Sequence, residues 1–223
     1  MVKIAAQPEL RPVTTTVPSA RPFHPAPASP SWRNGLPTLV GASITLRELT
    51  LSDASALLAI MTPEAVARFI STPPSTVEGF ERFIQWAHNE RALGRYACFA
   101  IVPHGSSRPV GIFQLRQIEA QFVTAEWGFA LDSSFWGNGY FKEGAQLLID
   151  FAVDVVGVRR LEARSAVANG RGNGALRKMG AVHEGVLRRS FTKGGRQMDQ
   201  SLWAILADEW RQAKAIWNPA VVH

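Results

Sequence analysis

Residues Ser134–Leu148 read SFWGNGYFKEGAQLL: two glycines bracket one residue, an aromatic stands on either side, and an apolar-periodic segment follows at once. Gly137 and Gly139 let the backbone turn sharply where a helix begins. The first N–H groups of that helix have no intrahelical partner, and with the positive end of its dipole they suit a pyrophosphate. A dinucleotide fingerprint needs G-x-G-x-x-G directly after a parallel strand. Here Gly137, Gly139 and Gly144 give G-x-G-x-x-x-x-G, so the third glycine is misplaced. A P-loop fails as well, because its G-x-x-x-x-G-K-[ST] pattern does not occur. Spacing alone leaves an anion cradle or a glycine turn that merely starts a helix.

The flanking segments frame that loop. Upstream, YACFAIV, RPVGIFQLRQI and FVTAEWGFAL are rich in β-branched and aromatic residues and read as consecutive antiparallel strands joined by short turns. Before them, SITLREL reads as a strand and LSDASALLAIM as a helix with Leu57, Leu58 and Met61 on one face. A second helix is predicted to begin near Ser75 or Thr76, with Val77, Phe80, Phe83, Ile84 and Ala87 at helical spacing and Gly94 as its stop. Downstream, the loop leads into a helix with Ala145, Leu148, Ile149, Ala152, Val155 and Val156 on one face. RRLEARSAV is then a strand and GRGNGALRKMG a short helix. A hairpin turning at Lys193–Gly195 and a terminal helix, ADEWRQAKAIW, complete the chain.

This interleaved order predicts an α/β (α+β) fold: one domain whose mixed, mostly antiparallel sheet of about six to seven strands carries helices on both faces. Eight of the 14 prolines fall within residues 1–37, so residues 1–40 read as a proline-rich, disordered leader and 41–223 as the domain. SWRNGLPTL is a candidate docked end of that leader, through Trp32, Leu36 and Leu39.

Composition narrows the function. No apolar run approaches the ~20 residues that span a bilayer. The N-terminus lacks the order of a secretory signal, and one cysteine, Cys98, forms no internal disulfide framework; together these point to the cytoplasm. Net charge is +6, and Lys and Arg exceed Asp and Glu only in residues 157–223, by 12 to 5. A basic third of this kind serves nucleic acid, an acidic protein or a phosphorylated cofactor, or is a solvated surface. No RNP-type strand, zinc-finger spacing or recognition helix favours nucleic acid. The five histidines show no metal-ligand spacing, so no metal is expected.

LDSSFWGNGYFKEGAQLLIDFA, followed by a strand and then by VANGRGNGALRKMGAVHEG, resembles the GCN5-related N-acetyltransferase (GNAT) superfamily, and within it the RimJ/RimL type that acetylates protein N-termini. The resemblance runs from about Ile44 to Trp210. It implies an N-acetyltransferase moving the acetyl group of acetyl-CoA to a primary amine, on a protein N-terminus or a small molecule, as a monomer or homodimer. It further implies that SFWGNG, with Trp136, Gly137, Asn138, Gly139 and Tyr140, cradles the cofactor pyrophosphate through backbone amides. Ser134 stands where the family usually has Gln or Arg. Phe129 and Leu131 would lie on the strand that pairs with the pantetheine arm and splays from the next. Asn169 would stand beside the cofactor, Asn173 would hold it or its thiol, and Lys142, Arg177 and Lys178 are candidates for its phosphates or, equally, for helix-surface charge. Gly172 occupies the position of a serine that in parts of the family reprotonates the leaving thiolate, and glycine has no such proton.

Direct acyl transfer needs a neutral attacking amine, a donor for the developing oxyanion and a departing thiolate. Glu126, inside the TAEWGFAL strand, is the candidate base. A glutamate at the strand's wet end, or one paired with an arginine such as Arg164, is the other reading. Cys98, in an apolar strand, reads as a core residue. Tyr140 is a possible acid or a packing residue. Arg188 and Arg189 read either as acceptor-groove residues or as the outer side of a solvated strand, and Asp199 has no assigned role. Two other functions fit the same residues: a non-catalytic acyl-CoA-binding module, or a nucleic-acid-binding module using the basic third.

Overall fold

The computed structural model describes residues 30–217. Most of the proline-rich leader lies outside them. An eight-stranded sheet in the order β1-β2-β3-β4-β5-β6-β8-β7 organises the chain. Its strands are β1 (Leu39–Val40), β2 (Ile44–Glu48), β3 (Tyr96–Pro103), β4 (Gly111–Gln117), β5 (Thr124–Leu131), β6 (Arg160–Ala166), β7 (Val182–Lys193) and β8 (Arg196–Leu206). Every neighbouring pair is antiparallel except β5 and β6, which run parallel. The count exceeds the expected six to seven strands because β1 is a two-residue bridge, too short to carry an alternation.

That bridge also moves the edge of the folded body. Trp32 is buried, edge-on to Phe122 and Phe151, and Leu36 and Leu39 pack against the same core. The packed domain thus takes in residues before the boundary drawn at residue 41.

Two apolar layers cover the sheet. On one face lie α1 (Ala54–Met61), the short α2 (Glu64–Ala67) and α3 (Val77–Ala92), burying Leu57, Ile60, Phe80 and Ile84 against Cys98, Ala100 and Ala130. Thr76 caps α3, its Oγ1 accepting from Gly79 N at 3.0 Å, and Gly94 ends the helical segment at φ +70°. The opposite face carries α4 (Tyr140–Asp150), α5 (Gly170–Lys178) and α6 (Ala207–Trp217). There Leu148, Ile149, Leu176 and Met179 pack on Phe113, Trp127 and Ala163.

After Asp150 the helix widens into a π-helical turn, Phe151–Val156. The added residue per turn rotates the stripe, so Phe151 and Val153 are buried while Val155, expected on the inner face, is only half-buried. Cys98 is buried as expected, and desolvation pushes its thiol up to about 12.

Candidate active site

β5 and β6 are in register over only three residues, Thr124–Glu126 against Arg160–Glu162. Beyond Glu126, β5 keeps its β4 partner through Leu131, whereas β6 continues against β8 to Ala166. The strands thus part inside the sheet and leave a slot. Backbone polar groups along it are open to an extended ligand that completes the sheet.

The glycine loop lies just past the C-terminal end of β5. Asp132 opens it, its Oδ1 accepting from Ser134 N at 3.0 Å, and Trp136 Nε1 donates to Leu131 O at 2.9 Å. Gly137 and Gly139 stand at φ +87° and +84°, in the left-handed region. A Cβ on either would meet nothing within 4 Å, so conformation rather than crowding requires glycine. Gly139 is the N-cap of α4, and Gly137, Asn138 and Gly139 are exposed. Tyr140 stacks on Phe135 with centroids 6.0 Å apart, which places its ring in packing. The start of α4 is anchored through Glu143, whose Oε1 accepts from Ser43 N at 2.8 Å. Burial opposes the ionised form of Glu143, but the bonds from Ser43 and neighbouring backbone outweigh it and hold its carboxyl below the usual range.

The second wall of the slot is the N-terminus of α5. Asn169 caps it, Oδ1 accepting from Gly172 N at 2.9 Å. Arg171 lies over the Trp136 ring at 4.2 Å, joining this helix end to the glycine loop. Asn173 sits differently from its expected place on the cofactor. Its Nδ2 donates to Ala166 O at 3.0 Å and Asn169 O at 2.9 Å, and its Oδ1 accepts from Trp203 Nε1 at 2.9 Å. The amide is fully engaged in tying β6, α5 and β8 together.

Phe129 packs its ring against Phe141, Phe113 and Trp127, so only its backbone faces the slot. Lys142 is exposed and lines a groove of about 400 Å³ beside Trp210 and Lys214, outside the loop itself. Arg177 lies over Trp203, and Lys178 is exposed.

The sheet face opposite α4 and α5 is polar at this point. Alternation places Arg116, Glu126, Glu162 and Arg164 on the side away from buried Leu115, Trp127 and Ala163. Glu126 stands opposite Arg116 on β4 and is ion-paired with it; its side chain is 22% exposed. Arg164 pairs loosely with Glu162 instead, at 3.9 Å. Arg160 joins Glu162 to Glu184, and those contacts, Glu184 first, hold its guanidinium above its usual value.

Lys193, at the tip of the β7–β8 hairpin, donates to Ala67 O and Ile70 O, joining that hairpin to the end of α2. Behind the tip, β7 bulges between Leu187 and Phe191. Arg189 there takes φ +51° with its N–H bonded to Asp199 Oδ1 at 2.8 Å, which gives Asp199 a structural role. A separate groove of about 930 Å³ is lined by Arg47, Ser52, His104 and Arg108 and includes no residue of the glycine loop. Among the described residues no group of His, Cys, Asp or Glu is arranged to hold a metal, and no helix is long and apolar enough to cross a membrane.

The acetyltransferase (GNAT) domain family matches residues 43–182, spanning the sheet from β2, the slot, the glycine loop and α5. The chain belongs to the GNAT acetyltransferase family. Among curated relatives, an "Uncharacterized N-acetyltransferase p20" of Bacillus licheniformis is 26% identical over 174 residues, covering 78% of this chain and 98% of its own. RimJ of Mycobacterium smegmatis, solved with a CoA disulfide, superposes with a TM-score of 0.71 at 23% identity, over 81% of this chain and 92% of that one. A RimL ribosomal L7/L12 acetyltransferase bound to coenzyme A superposes with a TM-score of 0.71 at 21% identity, over 78% and 99%. These two likenesses concern the fold.

A GNAT enzyme uses acetyl-CoA, and the loop of this chain fits that molecule, with open space above Gly137 and Gly139 at the N-terminus of α4. Ser165 Oγ is buried beside Gly172 of α5 and has no hydrogen-bond partner among the described residues. Sequence reasoning missed Arg116 and Lys193. Nothing local marks Lys193. The β4–β5 register, once known, places Arg116 opposite Glu126.

Proposed function

We propose that this GNAT protein moves the acetyl group of acetyl-CoA onto the primary amine of a protein N-terminus or a small molecule by direct attack. The observation that carries this reading is the three-residue pairing of β5 with β6, which opens a slot between a glycine cradle on one side and a charged sheet face on the other. Acetyl-CoA supplies an acetyl group activated as a thioester. Gly137, Asn138 and Gly139, with the first N–H groups of α4, hold its pyrophosphate. Backbone groups of Phe129 and Leu131 bind the arm that enters the slot, and Asn169 fixes the far wall.

On the charged face Glu126 accepts a proton from the acceptor's ammonium, directly or through one water, so that the amine attacks neutral. The likeness to RimL, a ribosomal L7/L12 alpha-N-protein acetyltransferase, supports a protein N-terminus as the acceptor.

The test is release of free thiol from acetyl-CoA with a panel of N-terminal peptides and small amines, beside thermal shift with CoA. Acceptor-dependent release is expected. CoA stabilisation without release on any acceptor would make the protein a binding module, and neither effect would overturn the reading altogether.

A further inference from the structure

Gly128, in the middle of β5, is not a glycine for reasons of conformation. It lies outside the left-handed region, and inside a strand glycine weakens pairing and offers no packing. The need for it comes from Gln114, its partner across β4. A Cβ on Gly128 would stand 2.9 Å from Gln114 Nε2, so the bare backbone makes room for that amide. The amide is also oriented. Tyr96 is 4% exposed and its hydroxyl donates to Gln114 Oε1 at 2.6 Å, which leaves Nε2 over β5. Nε2 itself donates to no group among the described residues.

The place of this donor says what it meets. Gln114 and Gly128 share a sheet face with Arg116 and Glu126 on one side and with Ile112 and Ala130 on the other. Ile112 and Ala130 are buried in the layer under α1 and α3, whereas Arg116 and Glu126 meet near solvent. The Gln114 amide thus stands where the helical cover ends, above the strand that borders the slot. Trp86 of α3 flanks Tyr96 here, ring centroids 4.9 Å apart, and is still 46% exposed. Gly128 and Glu126 are two residues apart on β5, roughly 6–7 Å. A peptide chain end spans that distance. Its amine nitrogen and first carbonyl oxygen lie roughly 3 Å apart, and one hydrogen bond at either end makes up the rest.

We propose that Gln114 Nε2 donates a hydrogen bond to the first carbonyl oxygen of the acceptor while Glu126 meets its amine. Gln114 then selects amines with an adjacent carbonyl, as at a protein N-terminus, over plain alkylamines. The inference rests on the acetyl-transfer reading above and names the side chain that chooses the acceptor. No bond to Gln114 forms or breaks; the amide only holds the acceptor in place beside the slot.

The test pairs the tripeptide amide that the acceptor panel accepts best with an analogue carrying an (E)-alkene in place of its first peptide bond. The alkene keeps the shape and removes the carbonyl oxygen. Thiol release from acetyl-CoA gives kcat/KM for both acceptors in wild type and variants, and the intrinsic reactivity of each amine cancels when the ratios are compared. Gln114→Met keeps the length and removes the donor. It should lower the preference for the peptide by about three- to tenfold, the size of one neutral hydrogen bond, with CoA affinity near wild type. Gly128→Ala, which pushes the amide off β5, and Tyr96→Phe, which releases its orientation, should each lower it in part. A preference unchanged in Gln114→Met, or a loss shared equally by both acceptors, overturns the inference and leaves the acetyl-transfer reading intact. Release with plain amines but with no peptide does the same. Absence of release with every acceptor overturns that reading instead.

Discussion

The two sides of the β5–β6 slot are built by opposite means. On the α4–α5 side the chemistry rests on the backbone: Gly137 and Gly139 hold left-handed turns, Gly172 leaves space, and the donors are N–H groups at two helix ends. On the other side it rests on side chains: Arg116, Glu126, Glu162, Arg160 and Glu184 form a row of charges across four strands. A backbone cradle suits a ligand part that never changes, such as a pyrophosphate. A charged surface can be altered one side chain at a time without disturbing the fold, which suits the acceptor side of the proposed reaction. Substitutions on the two sides should therefore fail in different ways.

The sharpest contrast is expected from Glu126→Gln. If this carboxylate takes the acceptor's proton, turnover should fall by about 10²- to 10⁴-fold while CoA affinity stays unchanged. Steady-state rates beside calorimetry check both halves, and a rate within twofold of wild type would remove Glu126 from the chemistry. Gly139→Val should do the reverse. A β-branched residue at φ +84° is strained by roughly 1–2 kcal/mol and tilts the N–H groups away from the phosphate. CoA affinity should drop by about tenfold or more. At saturating acetyl-CoA the rate should recover.

Much of this division can be read from the chain, and the missing parts have physical causes. The glycine loop is legible because a left-handed turn at a helix start limits the residue type, and the strands around it alternate clearly. The bonds of Asn173 are not legible in the chain, because Ala166 and Trp203 come from different strands and only the fold brings their polar atoms to one amide. The bridge at β1 and the single turn of α2 are too short for any periodicity to mark.

Asn173 gives a prediction of intermediate size. Asn173→Ala leaves the Trp203 indole N–H without its partner and removes one of the two bonds to the Ala166 carbonyl, and should destabilise the fold by about 1–3 kcal/mol. Urea denaturation measures this. A direct contact with the cofactor predicts the other pattern, in which stability holds and CoA affinity alone falls.

The smallest effect is expected on the charged face, where Glu184 meets Arg160 near solvent. Its side chain is 37% exposed, so the pair contributes at most about 0.5 kcal/mol. The bond from Arg160, the largest influence on this carboxyl, holds it below its ordinary range. The folded state therefore favours the ionised form more than the unfolded chain does. That stability is present above the unfolded carboxylate value and disappears as pH falls through the lower folded one. Glu184→Gln should lower the melting temperature slightly at pH 7, and the difference from wild type should vanish in acid. Added salt should shrink it as well, since exposed charges are screened within about 8–10 Å at moderate ionic strength. A difference that persists at low pH would mean that Glu184 acts through packing. The charged face would then be as rigidly built as the glycine side, and its freedom to vary between acceptors would have to come from elsewhere.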